Sequence, residues 1–498
     1  MTIITLLVSF ALAGAVLLGL TWNKVESRWL SFLQYFAGVW FTFSGIVKAL
    51  DPIGTALKMQ DYFADFESTA ECSGNKWIVP LLNFMSEHAV GFSIFVVILE
   101  ILLGIALIIG FLPKATAWIF LLLNVFFTIL TGYTHLTGYV PDGVCFFEFS
   151  KWGDFVKSNM KVTDCGCFGD FLKLDPSVSF KKDFYLLTPI SLIFVFLSGR
   201  FHQLFNIKTR RIIMASGLAL AAICCFYNTF SNEPIVDFRP FRNGVNIREQ
   251  KTAEVKAAGE RVILSRDLKN EKTGETITLD DKTYMANYDK AYSTENGWKI
   301  IGDPVQTDPS VPRTKISDFM VFSPKDDDIT NDLLNEKGYT FLVLSGKVKS
   351  TSTKKTIEVS DSIFRTDTIK KRVSGRDTLE IVKVFEKIGT RQEVFRSYSF
   401  DADYRESFEK KINPVIEAAE KAGHKVAAIL PTNDAQLVKD FRHAAQTAYP
   451  FYYADEKLIK TMMRSNPGLF LMKDGQIVHK WHINKMPTFE EIKAAYLK

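Results

Sequence analysis

The sequence predicts an α-helical membrane bundle of about six spans, followed by a small β-rich module and an α/β domain. Three observations carry this. Long apolar runs with few charges crowd the first 230 residues while charged residues fill the remainder, all six cysteines precede residue 226, and beyond residue 312 strand-like and helix-like runs alternate. The net charge of +5 is modest and belongs partly to loops between the apolar runs, so it marks no nucleic-acid surface.

The first run, 2–21, has about the 20 residues a spanning helix needs. No basic segment precedes it and no small-residue cleavage site is present, whereas Lys24 and Arg28 follow it. A retained helix within 1–28 is therefore expected, not a cleaved leader. The second run, 29–50, contains Gly38, Ser44 and Gly45, small enough for close helix contact. Residues 53–66 are amphipathic and predict a helix lying at the interface. A polar loop with Cys72 and Gly74 leads to the third run, 89–112, with Glu100 near its middle, and then to the fourth, 115–136. A long loop holding Cys145, Cys165 and Cys167 precedes a short fifth run, 185–198, with Pro189 inside it. The sixth, 212–230, lies within a segment 201–230.

Orientation follows from lysine and arginine in the short loops. Lys24, Arg28, Lys114, Arg200, Lys208, Arg210 and Arg211 all fall there, which predicts cytoplasmic loops. Six spans then put both termini, the two long loops and the soluble half outside, in the periplasm of a bacterial inner membrane. Cys72, Cys145, Cys165 and Cys167 would share the side on which disulfides persist.

Residues 231–312 alternate β-prone runs with turn residues and read as one small β-rich module. After Pro309 and Pro312, residues 313–498 predict a strand at 340–345, a polar insertion at 346–400, a helix at 404–422 and a strand at 425–430. Helices at 432–445 and 455–463 follow, then strands at 467–473 and 476–482 about the turn Lys473-Asp474-Gly475-Gln476, and a closing helix from 488.

The chemistry-bearing stretch is Asp164-Cys165-Gly166-Cys167-Phe168-Gly169-Asp170. Two thiols one residue apart, with Gly166 and Gly169 permitting a tight fold, lie close enough for a bridge near the preferred ~5.5–6 Å between α-carbons. The small ring so closed is strained and suits exchange better than stapling, and Cys72 and Cys145 offer a second pair for relay. The alternatives are one or two structural disulfides or a plain thiol pair in a turn. Metal ligation fits less well, since no histidine is near in sequence and the spacing is not that of a zinc knuckle. Cys224-Cys225, on the sixth run, reads as packing. Glu100 is costly in a bilayer, and with Lys48 or His135 from neighbouring runs it forms a candidate proton-passing or quinone head-group site; the plain alternative is a buried polar contact that fixes helix register.

Phe43-Ser44-Gly45-Ile46-Val47-Lys48-Ala49-Leu50-Asp51-Pro52, the motif at 164–170 and Ser179-Phe180-Lys181-Lys182-Asp183 together resemble the DoxX/MauE group of four-helix membrane proteins, especially its long Bacteroidota forms. The resemblance spans 29–200 and implies quinone-linked electron transfer or disulfide formation in the periplasm. The long loop with Cys145 departs from the pattern, and the helices at 2–21 and 212–230 lie outside the four-helix core. Residues 313–498 are similar to a thioredoxin-like domain: Ser465-Asn466-Pro467-Gly468, ahead of a hairpin, resembles that fold's cis-proline segment, with Pro467 in the proline position. Gly346-Lys347-Val348-Lys349 stands where that fold carries its catalytic cysteines, so dithiol chemistry is excluded from this domain. Two functions are expected. In one, Cys165 and Cys167 exchange electrons with periplasmic thiols and a quinone; in the other, the bundle anchors a redox-inactive docking module for envelope proteins. Transport lacks an inverted repeat or a series of intramembrane charges.

Overall fold

The computed structural model describes residues 3–373 and 376–497. Its first half is helical: α1 (Ile3–Thr21), α2 (Arg28–Leu50), α3 (Pro52–Cys72), α4 (Val79–Glu87), α5 (Ala89–Ile109), α6 (Pro113–Thr137), α7 (Pro176–Lys182), α8 (Thr188–Leu197) and α9 (Ile207–Phe226). Among the described residues five helices are long and apolar enough to cross a membrane: α1, α2, α5, α6, and α9 with its extension to Ser231.

The expected run at 185–198 is not among these five. The run at 185–198 is not one uninterrupted helix, because a π-helical turn, Asp183–Leu187, joins α7 to α8. Pro189 has no N–H to offer the carbonyl one turn back, so the helical ladder is already open at this point. The composite still runs alongside α6. Thr128 and Thr188 hydroxyls lie 3.1 Å apart, and the Phe120 and Phe194 ring centroids are 5.5 Å apart.

The tightest helix contact is between α2 and α5, where small residues let the backbones meet. A Cβ on Gly45 would fall 2.5 Å from Ile101 Cγ1, and one on Gly104 would fall 2.4 Å from Thr42 N. Gly104 faces Gly38 and Thr42, while Gly45 packs on Ile101 one turn away. At one end of the bundle, Gln34 Nε2 donates to the carbonyls of Leu107 (2.6 Å) and His202 (3.0 Å), and Arg210 donates to that of Gly110 (2.6 Å). The opposite end carries α3, the cysteine loop and the soluble half. The interfacial helix expected at 53–66 is longer than its apolar pattern indicated and ends at Cys72.

The soluble half adds α10 (Ile247–Gly259), β1 (Ile263–Asn270), β2 (Thr276–Asp280), α11 (Asp281–Asn287), β3 (Trp298–Gln306), α12 (Thr330–Leu334), β4 (Tyr339–Leu344), β5 (Ser350–Val373) and β6 (Arg376–Phe400). It closes with α13 (Ala402–Ser407), α14 (Asn413–Lys421), β7 (Lys425–Leu430), α15 (Ala435–Ala444), β8 (Phe451–Tyr453), α16 (Glu456–Met462), β9 (Gly468–Lys473), β10 (Gln476–His482) and α17 (Phe489–Tyr496). The main sheet has the order β10-β9-β4-β7-β8, with β4, β7 and β8 parallel and β9 antiparallel to both its neighbours. Both faces are covered, so β4 and β7 are apolar almost throughout rather than alternating. Phe341, Val343, Phe408 and Ile416 fill one core; Leu342, Leu344, Leu458 and Phe470 fill the other.

Residues 231–312 do not form one module. Phe241 and Ile247 belong to the second core of the main sheet, and the chain at 244–245 pairs with Ile477 (Gly244 N to Ile477 O 2.7 Å, Ile477 N to Val245 O 2.8 Å). The separate sheet is β2-β1-β3 alone. The polar insertion at 346–400 is largely the antiparallel ribbon β5–β6, rooted on the main domain through Phe400 against Phe441 (ring centroids 5.1 Å) and the Tyr398 hydroxyl donating to Asp434 (2.6 Å).

Candidate functional site

The loop at 164–170 is held in a tight turn by two glycines in the left-handed region, Gly166 (φ +61°) and Gly169 (φ +52°). At Gly166 a Cβ would also fall 3.1 Å from Lys58 Cγ, so the turn requires glycine there for two reasons. Gly169 N donates to the Gly166 carbonyl (3.1 Å), and Phe168, fully buried, anchors the loop in the bundle near Trp40 and Phe43. Lys58 on α3 fastens the near end through Asp164 (3.1 Å).

Both thiols are free in this structure. Beneath them lies a polar cluster inside the bundle. Ser44 Oγ donates to the Cys167 carbonyl (2.8 Å) and lies 3.3 Å from Glu100 Oε2, while Lys48 Nζ donates to both Glu100 oxygens (2.6 and 2.9 Å). From α7, Lys182 Nζ sits 4.0 Å from Cys167 Sγ and 2.6 Å from Asp183. Tyr62 of α3 and Ser179 of α7 border the sulfurs as well. Burial pushes the Cys165 thiol well above the ordinary thiol range, and the neighbouring Cys167 adds to this. Burial raises Cys167 too, but the Lys182 ammonium opposes it.

Cys72 and Cys145 form a disulfide with each other, with α-carbons 5.8 Å apart. Cys72 lies ten residues beyond Tyr62 on α3, about 15 Å along the helix. In this arrangement, then, the two cysteine pairs are separate. Of the three residues assigned to a head-group site, Lys48 and Glu100 meet but His135 does not join them. Its ring lies among Tyr139, Phe155 and Phe180, and its Nδ1 has no hydrogen-bond partner among the described residues.

The soluble domain meets the cysteine loop through the segment around Pro467. The Asn466–Pro467 peptide is cis, and Asn466 is fixed by Ser345 Oγ (2.8 Å) beyond the end of β4. Just before it, Arg464 reaches into the membrane half. Its Nε and Nη2 bond the two Asp51 oxygens (2.9 and 2.6 Å), and Nη2 lies 3.4 Å from Asp170 of the cysteine loop. The backbone N–H groups of Arg464 and Ser465 both donate to Glu233 (3.0 Å each), which also accepts from Arg239 (2.6 Å). Arg239 and Lys480 converge on Asp237. Burial alone would raise Asp51, but Arg464, aided by Arg239 and the Gly54 N–H, holds its carboxyl below the usual range.

Between the two halves lies a cleft of ≈ 780 Å³, lined on the membrane side by Lys58, Asp61, Asp164, Gly166 and Asp170 and on the soluble side by Asp455, Lys460 and Arg464. That volume is in the range of small-molecule sites and suits a short chain segment. Sequence reasoning did not single out Tyr62, Lys182, Asp183 or Arg464 as site residues. Ser179, Lys182 and Asp183 stood in the stretch that carried the family resemblance, and Arg464 stood next to the proline segment.

These features define a membrane protein with a helical core and an appended soluble domain that contains β-sheet. Residues 26–160, from the loop before α2 to a point short of the thiol pair, match the family model described as methylamine utilisation protein MauE. The membrane half is thus MauE-like over this span. No curated protein and no solved structure matches the chain.

Proposed function

We propose that the chain is a thiol–disulfide redox protein of the bacterial inner membrane in which Cys165 and Cys167 are the working pair. The observation that carries this reading is the position of the two free thiols, on either side of a glycine that lines the interdomain cleft and above a buried Lys–Glu cluster. In the oxidising direction a substrate dithiol loses two electrons and two protons to the Cys165–Cys167 disulfide, and a two-electron acceptor reoxidises the pair. A quinone is the acceptor class the sequence resemblance implies. Lys48, Glu100 and His135 do not form a single head-group site in this arrangement, so no step is assigned to them.

The proposed orientation places the soluble domain, the cysteine loop and the Cys72–Cys145 disulfide in the periplasm. The loops near Gln34, with Lys24, Arg28, Lys114, Arg200 and Arg211, then face the cytoplasm. Counting the α7–α8 composite as a crossing makes this consistent. We read the soluble domain as thioredoxin-like, a reading supported by the order of β4, β7, β9 and β10 and by the proline segment before β9. Without cysteines it presents substrate instead of reacting with it.

The test is disulfide mapping by mass spectrometry on thiol-trapped protein, before and after addition of a soluble quinone to reduced protein. A Cys165–Cys167 bridge that forms with quinone and is lost on adding a reduced dithiol peptide supports the reading. Thiols that stay free under both conditions overturn it. The second reading, a docking scaffold for envelope proteins, is favoured by the Arg464 contact, which holds a cysteine-free domain against the membrane half.

A further inference from the structure

The environment of the two sulfurs is asymmetric. Lys182 Nζ is 4.0 Å from Cys167 Sγ, and its side chain is 8 % exposed. Ser179 and Tyr62 are almost fully buried; the Ser179 hydroxyl faces both sulfurs and the Tyr62 hydroxyl faces Cys165 and Thr134, and none of these approaches is a close hydrogen bond. A buried hydroxyl without a close acceptor is costly. Two of them at one pair of thiols, together with a buried ammonium, are explained if a negatively charged sulfur occupies the site during the working cycle. The other charged or titratable groups around the pair are Lys48 of α2, Glu100 of α5, Asp183 after α7 and Asp164 of the loop itself. Lys48 and Glu100 neutralise each other, as Asp164 and Lys58 do. Asp183 shares Lys182, so the ammonium is oriented but not removed from the sulfur.

We propose that Lys182, Ser179 and Tyr62 form a thiolate cradle and that Cys167 is the sulfur that carries the charge. This deepens the redox reading and rests on it. A substrate thiolate attacks Cys165 Sγ; the new substrate–Cys165 bond forms as the Cys165–Cys167 bond breaks, and the electron pair leaves on Cys167, facing Lys182. A second substrate thiolate then attacks the substrate sulfur of the mixed disulfide, and Cys165 departs as a thiolate. The substrate ends oxidised by two electrons and the pair ends reduced by two.

The experiment is peptide-resolved alkylation with iodoacetamide across pH, on full-length reduced protein in lipid nanodiscs, for wild type, Lys182→Gln, Lys182→Arg and Ser179→Ala. Cys167 is expected to alkylate with a lower midpoint than Cys165. Lys182→Gln should raise that midpoint by ~1–3 units and slow the reaction at neutral pH at least about tenfold, and Lys182→Arg should restore most of it. Ser179→Ala removes a hydroxyl that makes no close hydrogen bond, so it should fold normally and still slow Cys167. It also keeps the test open if Lys182→Gln misfolds. Equal midpoints for the two thiols, or a Cys167 profile unmoved by Ser179→Ala and Lys182→Gln, overturn the cradle. If the profile shifts as expected but the pair never cycles with quinone and dithiol peptide, the redox reading falls while the cradle stands. Cycling with an unshifted profile sinks the cradle alone.

Discussion

Replacing Arg464 with methionine should open the contact between the soluble domain and the cysteine loop. The guanidinium is 3 % exposed and bonds Asp51 through two nitrogens, with Asp51 itself 18 % exposed. Removing one partner from a buried ion pair costs about 3–5 kcal/mol. Here Asp51 keeps the Gly54 N–H (3.0 Å) and Asp170 keeps Lys173 (3.4 Å), which lowers the expected loss to about 2–3 kcal/mol. The readout is hydrogen exchange at the Arg464 and Ser465 amides, which are protected by Glu233 and not by the mutated side chain. Protection should fall roughly 30- to 150-fold, since each ~1.4 kcal/mol is a factor of ten. Asp51→Asn should do nearly the same, and the double variant should be little worse than either single one, because the two share one interaction. Acid provides a second check. The Asp51 carboxyl is depressed in the folded state, so its contribution is fully present above the ordinary carboxylate range and is lost as pH falls through the folded value. Wild-type protection should therefore decline below the ordinary carboxylate range, and Asp51→Asn should remove the Asp51 share of that decline. Strictly additive losses, or unchanged protection in Arg464→Met, would refute the idea that this bridge holds the two halves together.

Lys48→Met alone should destabilise the bundle by about 3–5 kcal/mol, whereas Lys48→Met with Glu100→Leu should recover most of the loss; thermal midpoints in detergent decide, and a double variant as damaged as the single one contradicts the pairing. Gly166→Ala forces a left-handed residue and crowds Lys58, so it should cost about 1–3 kcal/mol and leave the Cys72–Cys145 bridge intact by mass spectrometry. Because burial raises both loop thiols, Cys165 and Cys167 should alkylate more slowly at pH 8 in the folded protein than after unfolding, and the gap should persist above the ordinary thiol range, closing only as pH reaches the raised folded values.

The helices of the bundle were legible because each is a long run of apolar residues with few interruptions, and the α7–α8 break was foreshadowed by Pro189. Main-domain strands such as β4, β7 and β9 were legible for the same reason. β8 was not, since three residues, Phe451–Tyr453, give no period to read. The ribbon was hidden in a different way: strands of 24 and 25 residues are far longer than the usual ~5–6, so its polar composition was read as an insertion. The pairing of Val245 with Ile477 and the placement of Tyr62 beside Cys165 join residues far apart in the chain, and no local pattern announces such contacts. The thiol pair and the intramembrane charges were visible because each is costly or unusual where it stands. The hydroxyls and the lysine that surround the sulfurs are ordinary residues until the fold assembles them.

The Cys72–Cys145 bond has a mechanical consequence. It closes a covalent ring over a sequence separation of 73 residues, and α4, α5 and α6 lie inside that ring, while α2, α9 and the thiol loop lie outside it. If the protein is drawn out of a bilayer by a probe attached to its C-terminal end, the ring cannot unravel. Roughly 250 Å of extended chain, at about 3.3–3.6 Å per residue, stays stored as a single block. A reductant in the bath should release that length as additional contour in the force–extension trace.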